Sequence, residues 1–242
     1  MRESSILQPG KLHTEKLAQR MKLPRELLLE LAATSRRHGE FVDRAFAEVC
    51  QQTQASTWAE KSPRNVRRLA YIFRHFPKAR FVHVIRDGRD AVCSLRAHHR
   101  VRRIDGEEVQ IAPLRPLEQC ARRWVDDVGA GLAWSHHPNY REIRYEDLVS
   151  DLEGSLRRLL ESLGERFSPE MLDYHRKQSA VSTEPNFSRP IFGTSVGRWR
   201  RDLSAEELAQ VGQLCGPLLE QLGYVDPETA DGMLAAQPGS AG

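Results

Sequence analysis

The chain has 242 residues, 40% of them hydrophobic and 29% charged, with a formal net charge of +3. This is ordinary for one soluble globular domain with a substantial core, and the charge is too small for nucleic-acid binding by bulk electrostatics. Thirty arginines stand against six lysines; the guanidinium fork suits oxyanions, but a GC-rich genome yields the same bias, so the total discriminates nothing. No apolar run approaches the roughly 20 residues that span a bilayer, and the start MRESSILQPGK lacks the apolar core of a signal peptide. Cys50, Cys93, Cys120 and Cys215 are widely separated, with neither a C-x-x-C pair nor zinc-like spacing, as expected of reduced thiols in a cytoplasmic protein. His98-His99 and His136-His137 are adjacent pairs that point apart on a helix, so no metal site is expected from them.

In chain order, helices alternate with a few short strands, an α/β pattern without internal repeats. Residues 24–36 and 40–52 read as amphipathic helices, the first with Pro24 in its opening turn and Leu27, Leu28 and Leu31 on one face. Thr57 to Glu60 reads as a short strand. A helix follows from Pro63 to His75, opened by Ser62-Pro63 and ending before Pro77. Over residues 80–86, Phe81, Val82, Val84 and Ile85 make a near-continuous apolar run, as in a strand covered on both faces of a parallel sheet. The chain turns at Asp87-Gly88. Asp87 caps the next helix, Asp90 three residues on echoes a capping box, and Ala91, Val92 and Leu95 give that helix its apolar face. Residues 102–115 break periodicity and read as a mobile loop of the kind that carries substrate contacts. A helix over 116–135 precedes a strand from Tyr140 to Tyr145, and helices at 152–163, 168–177 and 204–222 complete one domain over 1–226. Residues 178–197 have no period and two prolines, a long irregular segment of functional or disordered character. The tail 227–242 reads as disordered.

The junction at residues 80–95 is the most informative. Arg86 stands at the carboxyl end of a strand, the edge where open α/β sheets hold ligands, and Ser94 lies about two helical turns along, where its hydroxyl joins the guanidinium around one phosphate. Alone, the same residues read equally as a surface ion pair of Arg86 with Asp87 beside an ordinary helix.

Four ordered motifs decide between them: WAEKSPRN at 58–65, RDGRDAVCS at 86–94, RYEDL at 144–148 and SVGRWRRDLSAEE at 195–207. Together they resemble the sulfotransferases that use 3′-phosphoadenosine 5′-phosphosulfate (PAPS), especially the bacterial branch related to tyrosylprotein and heparan sulfotransferases, from about Glu3 to Tyr224. The resemblance implies a three-layer α/β fold of the P-loop nucleotide-kinase type with a small parallel sheet. It implies transfer of a sulfuryl group from PAPS to an acceptor hydroxyl or amine, without a metal, leaving adenosine 3′,5′-bisphosphate. By the same resemblance Glu60 is the general base and Lys61 faces the sulfuryl region. Arg86 and Ser94 hold the 3′-phosphate, Tyr145 lies beside the adenine, Arg198 belongs to a late basic loop near the phosphates, and residues 178–197 form a lid. Plainer roles compete at several positions: an exposed charged pair for Glu60 and Lys61, core packing for Tyr145, and an indole anchoring the last helix for Trp199.

Two departures from the family pattern bear on activity. An Arg-Lys-Gly near the late loop of cytosolic relatives is replaced by Phe192, Gly193 and Thr194. No stretch matches the G-x-x-R-S-G-T-T loop whose backbone N–H groups cradle the 5′-phosphosulfate, so the expectation is a fold lacking its first strand and P-loop. The alternative is a non-catalytic, truncated nucleotide- or partner-binding domain. The acceptor remains open among carbohydrate, peptide, lipid and small phenol, as does association between copies; neither nucleic acid nor a membrane segment is expected.

Overall fold

The computed structural model describes residues 14–97, 100–104, 107–111, 115–173 and 193–225. The expected tail and most of the expected lid lie outside them. The chain divides into two compact units, Met1–Asn65 with Ala70–Pro77, and Val66–Leu69 with Lys78–Gly242.

The first unit is helical. Helices α1 (Thr14–Met21), α2 (Arg25–Thr34) and α3 (His38–Thr53) bury Leu23, Leu28, Leu31, Ala32, Phe41 and Ala45 among themselves. Of the expected face of α2, Leu28 and Leu31 are buried and Leu27 packs at its margin. Pro24 stands at the N-cap, one position before the helix proper. The strand expected at Thr57–Glu60 is not formed. A strand exists only where its N–H and C=O groups meet a neighbouring strand; here packing takes over, the Trp58 indole stacking on Phe46 with centroids 4.2 Å apart and meeting Phe76 edge-on at 6.2 Å. The helix expected over Pro63–His75 is divided into a 3-10 segment, Pro63–Arg68, and α4 (Leu69–His75).

The second unit opens with β1 (Phe81–Ile85) and α5 (Gly88–Ala97). Strands β2 (Arg100–Ile104) and β3 (Glu107–Ile111) pair antiparallel, with Ile104 opposite Glu107. Of the loop expected over 102–115, the described residues 102–104 and 107–111 are therefore paired strand. Asp105-Gly106 between the strands is a strong two-residue hairpin signal, and it outweighed the weak alternation of the flanking residues. Then come α6 (Leu117–Leu132), β4 (Tyr140–Arg144), α7 (Tyr145–Ser150), α8 (Leu152–Ser162), a 3-10 turn at Pro169–Met171, α9 (Trp199–Asp202) and α10 (Ala205–Gln221). Of the helix expected at 168–177, the described part is only that 3-10 turn.

Strands β1 and β4 pair parallel, Phe81 with Tyr140 through Ile85 with Arg144, and are the whole parallel sheet among the described residues. The fold is mixed α/β, mostly helical, with a small parallel sheet as expected. Burial of β1 is one-sided: His83 and Ile85 are buried while Val84 is 51% exposed, so the expectation of cover on both faces is corrected. The core lies where α5, α6 and α10 meet, around Ile85, Val92, Cys120, Ala121, Trp124, Val128, Val211, Cys215 and Leu219. Burial pushes the Cys93 thiol up to about 11 and that of Cys215 up to about 12, so both stay protonated. His83 makes a 2.6 Å hydrogen bond through Nδ1 with the Tyr140 hydroxyl, and burial pushes its pKa down to about 4. Helix α10 starts with a complete capping box of Ser204 and Glu207, and Glu207 also takes Arg96 of α5 at 2.8 Å.

Candidate functional site

The site is built where β1 ends and α5 begins. Gly88 opens α5 because the Trp124 indole lies against it: a Cβ there would come within 2.9 Å of three ring atoms. The indole in turn donates from Nε1 to the Arg86 carbonyl at 3.1 Å. The backbone on which Arg86 and Asp87 stand is thus fixed from beneath by α6.

Arg86 is mostly buried, with 18% of its side chain exposed. Its guanidinium carbon lies 4.7 Å from the centroid of the Tyr145 ring, its Nη2 donates to the Ser195 carbonyl and stands 3.8 Å from Asp90 Oδ2. Its Nε is buried and has no hydrogen-bond partner among the described residues. An orphaned donor in a buried cation is costly unless a ligand satisfies it, so the site has unused capacity for an anion.

Asp87 is not the partner of Arg86. Its carboxylate accepts from Arg89 Nη2 at 2.6 Å and Nε at 3.0 Å, and caps α5 by accepting the Arg89 backbone N–H at 2.9 Å. The surface ion pair of Arg86 with Asp87 is thereby replaced by a buried Arg89–Asp87 pair, and Arg86 keeps the longer 3.8 Å pair with Asp90. Arg89 also donates to the Tyr224 carbonyl at 2.9 Å and lies 4.2 Å over the Trp199 ring. Asp90 does not complete a capping box: its oxygens accept the backbone N–H groups of Gly197 at 2.7 Å and Trp199 at 3.0 Å. The start of α5 faces a packed turn rather than water, and that turn offers two N–H donors.

Tyr145 begins α7 instead of ending the preceding strand. Glu146 beside it accepts the Asp87 backbone N–H at 3.0 Å and the Tyr224 hydroxyl at 2.9 Å, tying β4, α5 and the end of α10 together. Burial raises the Tyr224 phenol, which keeps it a donor. Ser94 is half-buried on α5. Four residues after Asp90, it lies on the same helix face one turn further along, and no hydrogen bond joins it to Arg86 among the described residues. Arg198 pairs with Asp202, Nε to Oδ2 at 2.7 Å, and the guanidinium holds that carboxyl below its usual range. Two guanidinium groups approach the Trp199 ring, Arg89 at 4.2 Å and Arg200 at 4.4 Å from its centroid.

The second unit therefore assembles Arg86, Tyr145 and the turn bearing Arg198, with Ser94 on the adjoining helix face. Glu60 and Lys61 belong to the first unit. Both are exposed. The Glu60 carboxylate accepts the Ser62 hydroxyl at 2.6 Å and the Asn65 side-chain amide, so the Ser62 side chain orients Glu60, while Ser62-Pro63 also opens the helical segment that follows, the Ser62 carbonyl accepting the Asn65 N–H at 3.0 Å. Sequence reasoning passed over Arg89, Glu146, Tyr224 and Asn65. The spacing of Glu60 to Ser62 and Asn65 was the available signal for Asn65; Tyr224 reaches the site only through tertiary packing.

A family model described as the sulfotransferase family matches residues 7–169. The omega-hydroxy-beta-dihydromenaquinone-9 sulfotransferases Stf3 of Mycobacterium bovis and Mycobacterium tuberculosis are each 26% identical over 211 residues, covering 82% of this chain and 50% of the relative. The chain thus spans half the length of these curated relatives. Two solved structures are similar in fold. The sulfotransferase domain of the Synechococcus PCC 7002 olefin synthase has a TM-score of 0.58 at 19% identity, covering 88% of this chain and 75% of that one. The sulfotransferase domain from the curacin biosynthetic pathway has a TM-score of 0.56 at 15% identity, covering 88% and 79%.

Proposed function

Because the chain belongs to the sulfotransferase family, we propose that it takes part in sulfuryl transfer from PAPS to an acceptor hydroxyl, and that the second unit receives the adenosine 3′-phosphate end of the donor. The observation that carries this is Arg86: a mostly buried guanidinium at the carboxyl end of a strand, over the Tyr145 ring at 4.7 Å, with its Nε unpartnered among the described residues. Such a fork meets a phosphate bidentately. Tyr145, beside Arg86, supplies an aromatic surface for the adenine, Ser94 a hydroxyl for the phosphate, and Arg198 a further guanidinium on the adjoining turn. The donor carries the reactive sulfuryl group; the protein positions it and neutralises charge. As the acceptor oxygen bonds to sulfur, the bond from sulfur to the donor's phosphate oxygen breaks. The acceptor proton passes to the Glu60 carboxylate, which Ser62 and Asn65 hold in one orientation, and the Lys61 ammonium stabilises charge on the leaving oxygen. A hydroxyl acceptor on a small molecule is favoured because the related Stf3 proteins are named for an omega-hydroxy menaquinone.

Arg86→Ala tests the nucleotide half. In calorimetry it is expected to weaken adenosine 3′,5′-bisphosphate by about 1.5 to 3 kcal/mol, the scale of a charge-assisted contact, and to leave adenosine 5′-phosphate nearly unaffected; equal losses for both would remove Arg86 from the 3′-phosphate. Glu60→Gln tests the chemical half. With labelled PAPS and a hydroxylated acceptor, turnover is expected to fall about 10²- to 10⁴-fold at unchanged nucleotide affinity, and near-normal turnover would return Glu60 to an exposed structural carboxylate.

A further inference from the structure

We propose that Asp90 is a positioning residue: it pins the 195–199 turn beside Arg86, fixing the surface on which the nucleotide 3′-phosphate is received. The inference rests on the function proposed for Arg86 above and adds the element that holds that site in shape. Asp90 is 1% exposed. A carboxylate so deeply buried is tolerated only when its oxygens are paired, and here each has one partner from the turn: Oδ2 accepts the Gly197 N–H at 2.7 Å and Oδ1 the Trp199 N–H at 3.0 Å. Among the described residues it makes no hydrogen bond to the opening turn of its own helix, so its bonds serve the turn rather than α5.

The two donors flank Arg198. Asp90 therefore fixes the backbone on both sides of that residue, and the left-handed φ of +69° at Gly197 lets the chain bend there. Arg89, next to Asp90, lies 4.2 Å over the Trp199 ring and holds the same turn by its side chain. The pinned turn places the Ser195 carbonyl on Arg86 Nη2 and leaves Asp90 Oδ2 3.8 Å from that nitrogen. A neutral carbonyl is a weaker partner for a guanidinium than a phosphate. The incoming phosphate thus takes Arg86 from Ser195, while the Asp90 bonds, two residues further along, keep the turn from swinging away with it.

The test uses the full chain and Asp90→Asn, which keeps the shape but offers only one acceptor oxygen for two N–H donors. Hydrogen exchange at the Gly197 and Trp199 amides is expected to accelerate by about tenfold or more, with the amides of α6 and α10 unchanged. Affinity for adenosine 3′,5′-bisphosphate should fall about tenfold, that for adenosine 5′-phosphate should hold, and the Arg86→Ala effect should shrink in the double variant. Gly197→Ala, strained at φ +69° and placing a Cβ 2.8 Å from Arg200 Nη1, disturbs the turn from its own side while keeping the Asp90 carboxylate and should reproduce the selective loss; it carries the test if Asp90→Asn does not fold. Freed amides with unchanged bisphosphate affinity, or amides that are not freed, would overturn the role of Asp90 while leaving Arg86 in place. Bisphosphate binding that is absent, or insensitive to Arg86→Ala, would overturn the underlying assignment as well.

Discussion

At the scale of single residues, charges in RDGRD are sorted by burial and geometry, not by order in the sequence. Asp87 takes Arg89 bidentately, Asp90 takes two backbone N–H groups, and Arg86 is left with a carbonyl, an aromatic face and the Asp90 carboxylate at 3.8 Å. The one cation of that motif without a close carboxylate hydrogen bond is the one at the strand end, to which the proposal gives the phosphate. His83, on the same strand, is buried for a different reason: it fills space against α6, where a Cβ on Gly131 would lie 2.4 Å from its ring, and is satisfied by the Tyr140 hydroxyl. Burial lowers its folded pKa from 6.5 to about 4. Between those values the unfolded chain binds the extra proton, so the contribution is complete above pH 6.5 and is lost as pH falls towards 4. From pH 8 to pH 5 the loss amounts to about 2 kcal/mol. His83→Gln should flatten the difference between unfolding free energies measured at those two pH values by that amount; an unchanged pH dependence would show that His83 titrates in the fold as it does in the unfolded chain.

At the scale of elements, what could be read depended on whether the cause was local. The β1–α5 junction, the helices at 117–132 and 205–221 and strand β4 follow from apolar periodicity and caps that lie within each segment. The 57–60 segment was misread because a strand depends on a neighbour that no local pattern reports; the indole of Trp58 found aromatic partners instead. The 102–115 segment was misread for the opposite reason, since Asp105-Gly106 is a local turn signal and the pairing of Arg100–Ile104 with Glu107–Ile111 follows it. In the site, Arg86 and Tyr145 were legible through their motifs, and the structure places them in contact. Asp90 was legible as a residue but not in its task, because its partners lie 107 and 109 positions away. Arg89, Glu146 and Tyr224 act through contacts of the same long-range kind.

At the scale of the whole molecule, the family motifs run through both compact units, WAEKSPRN in the first and the other three in the second, while each unit has a separate apolar core. In the first, Leu28 is fully buried among α1, α2 and α3, surrounded by Leu23, Leu31, Phe41 and Ala45. In the second, Ile85, Val92, Trp124 and Leu219 close around α5, α6 and α10. A core residue stabilises directly what it touches, and sub-global opening follows such boundaries. Leu28→Ala should therefore cost about 2 to 5 kcal/mol in the stability of the first unit. Native-state hydrogen exchange is expected to show protection lost over α1, α2 and α3 while the amides of α5, α6 and α10 keep theirs. If α5, α6 and α10 lost protection by the same factor, the two cores would be unfolding as one, and a mutation in the helical unit would then weaken the binding proposed for Arg86 through stability alone.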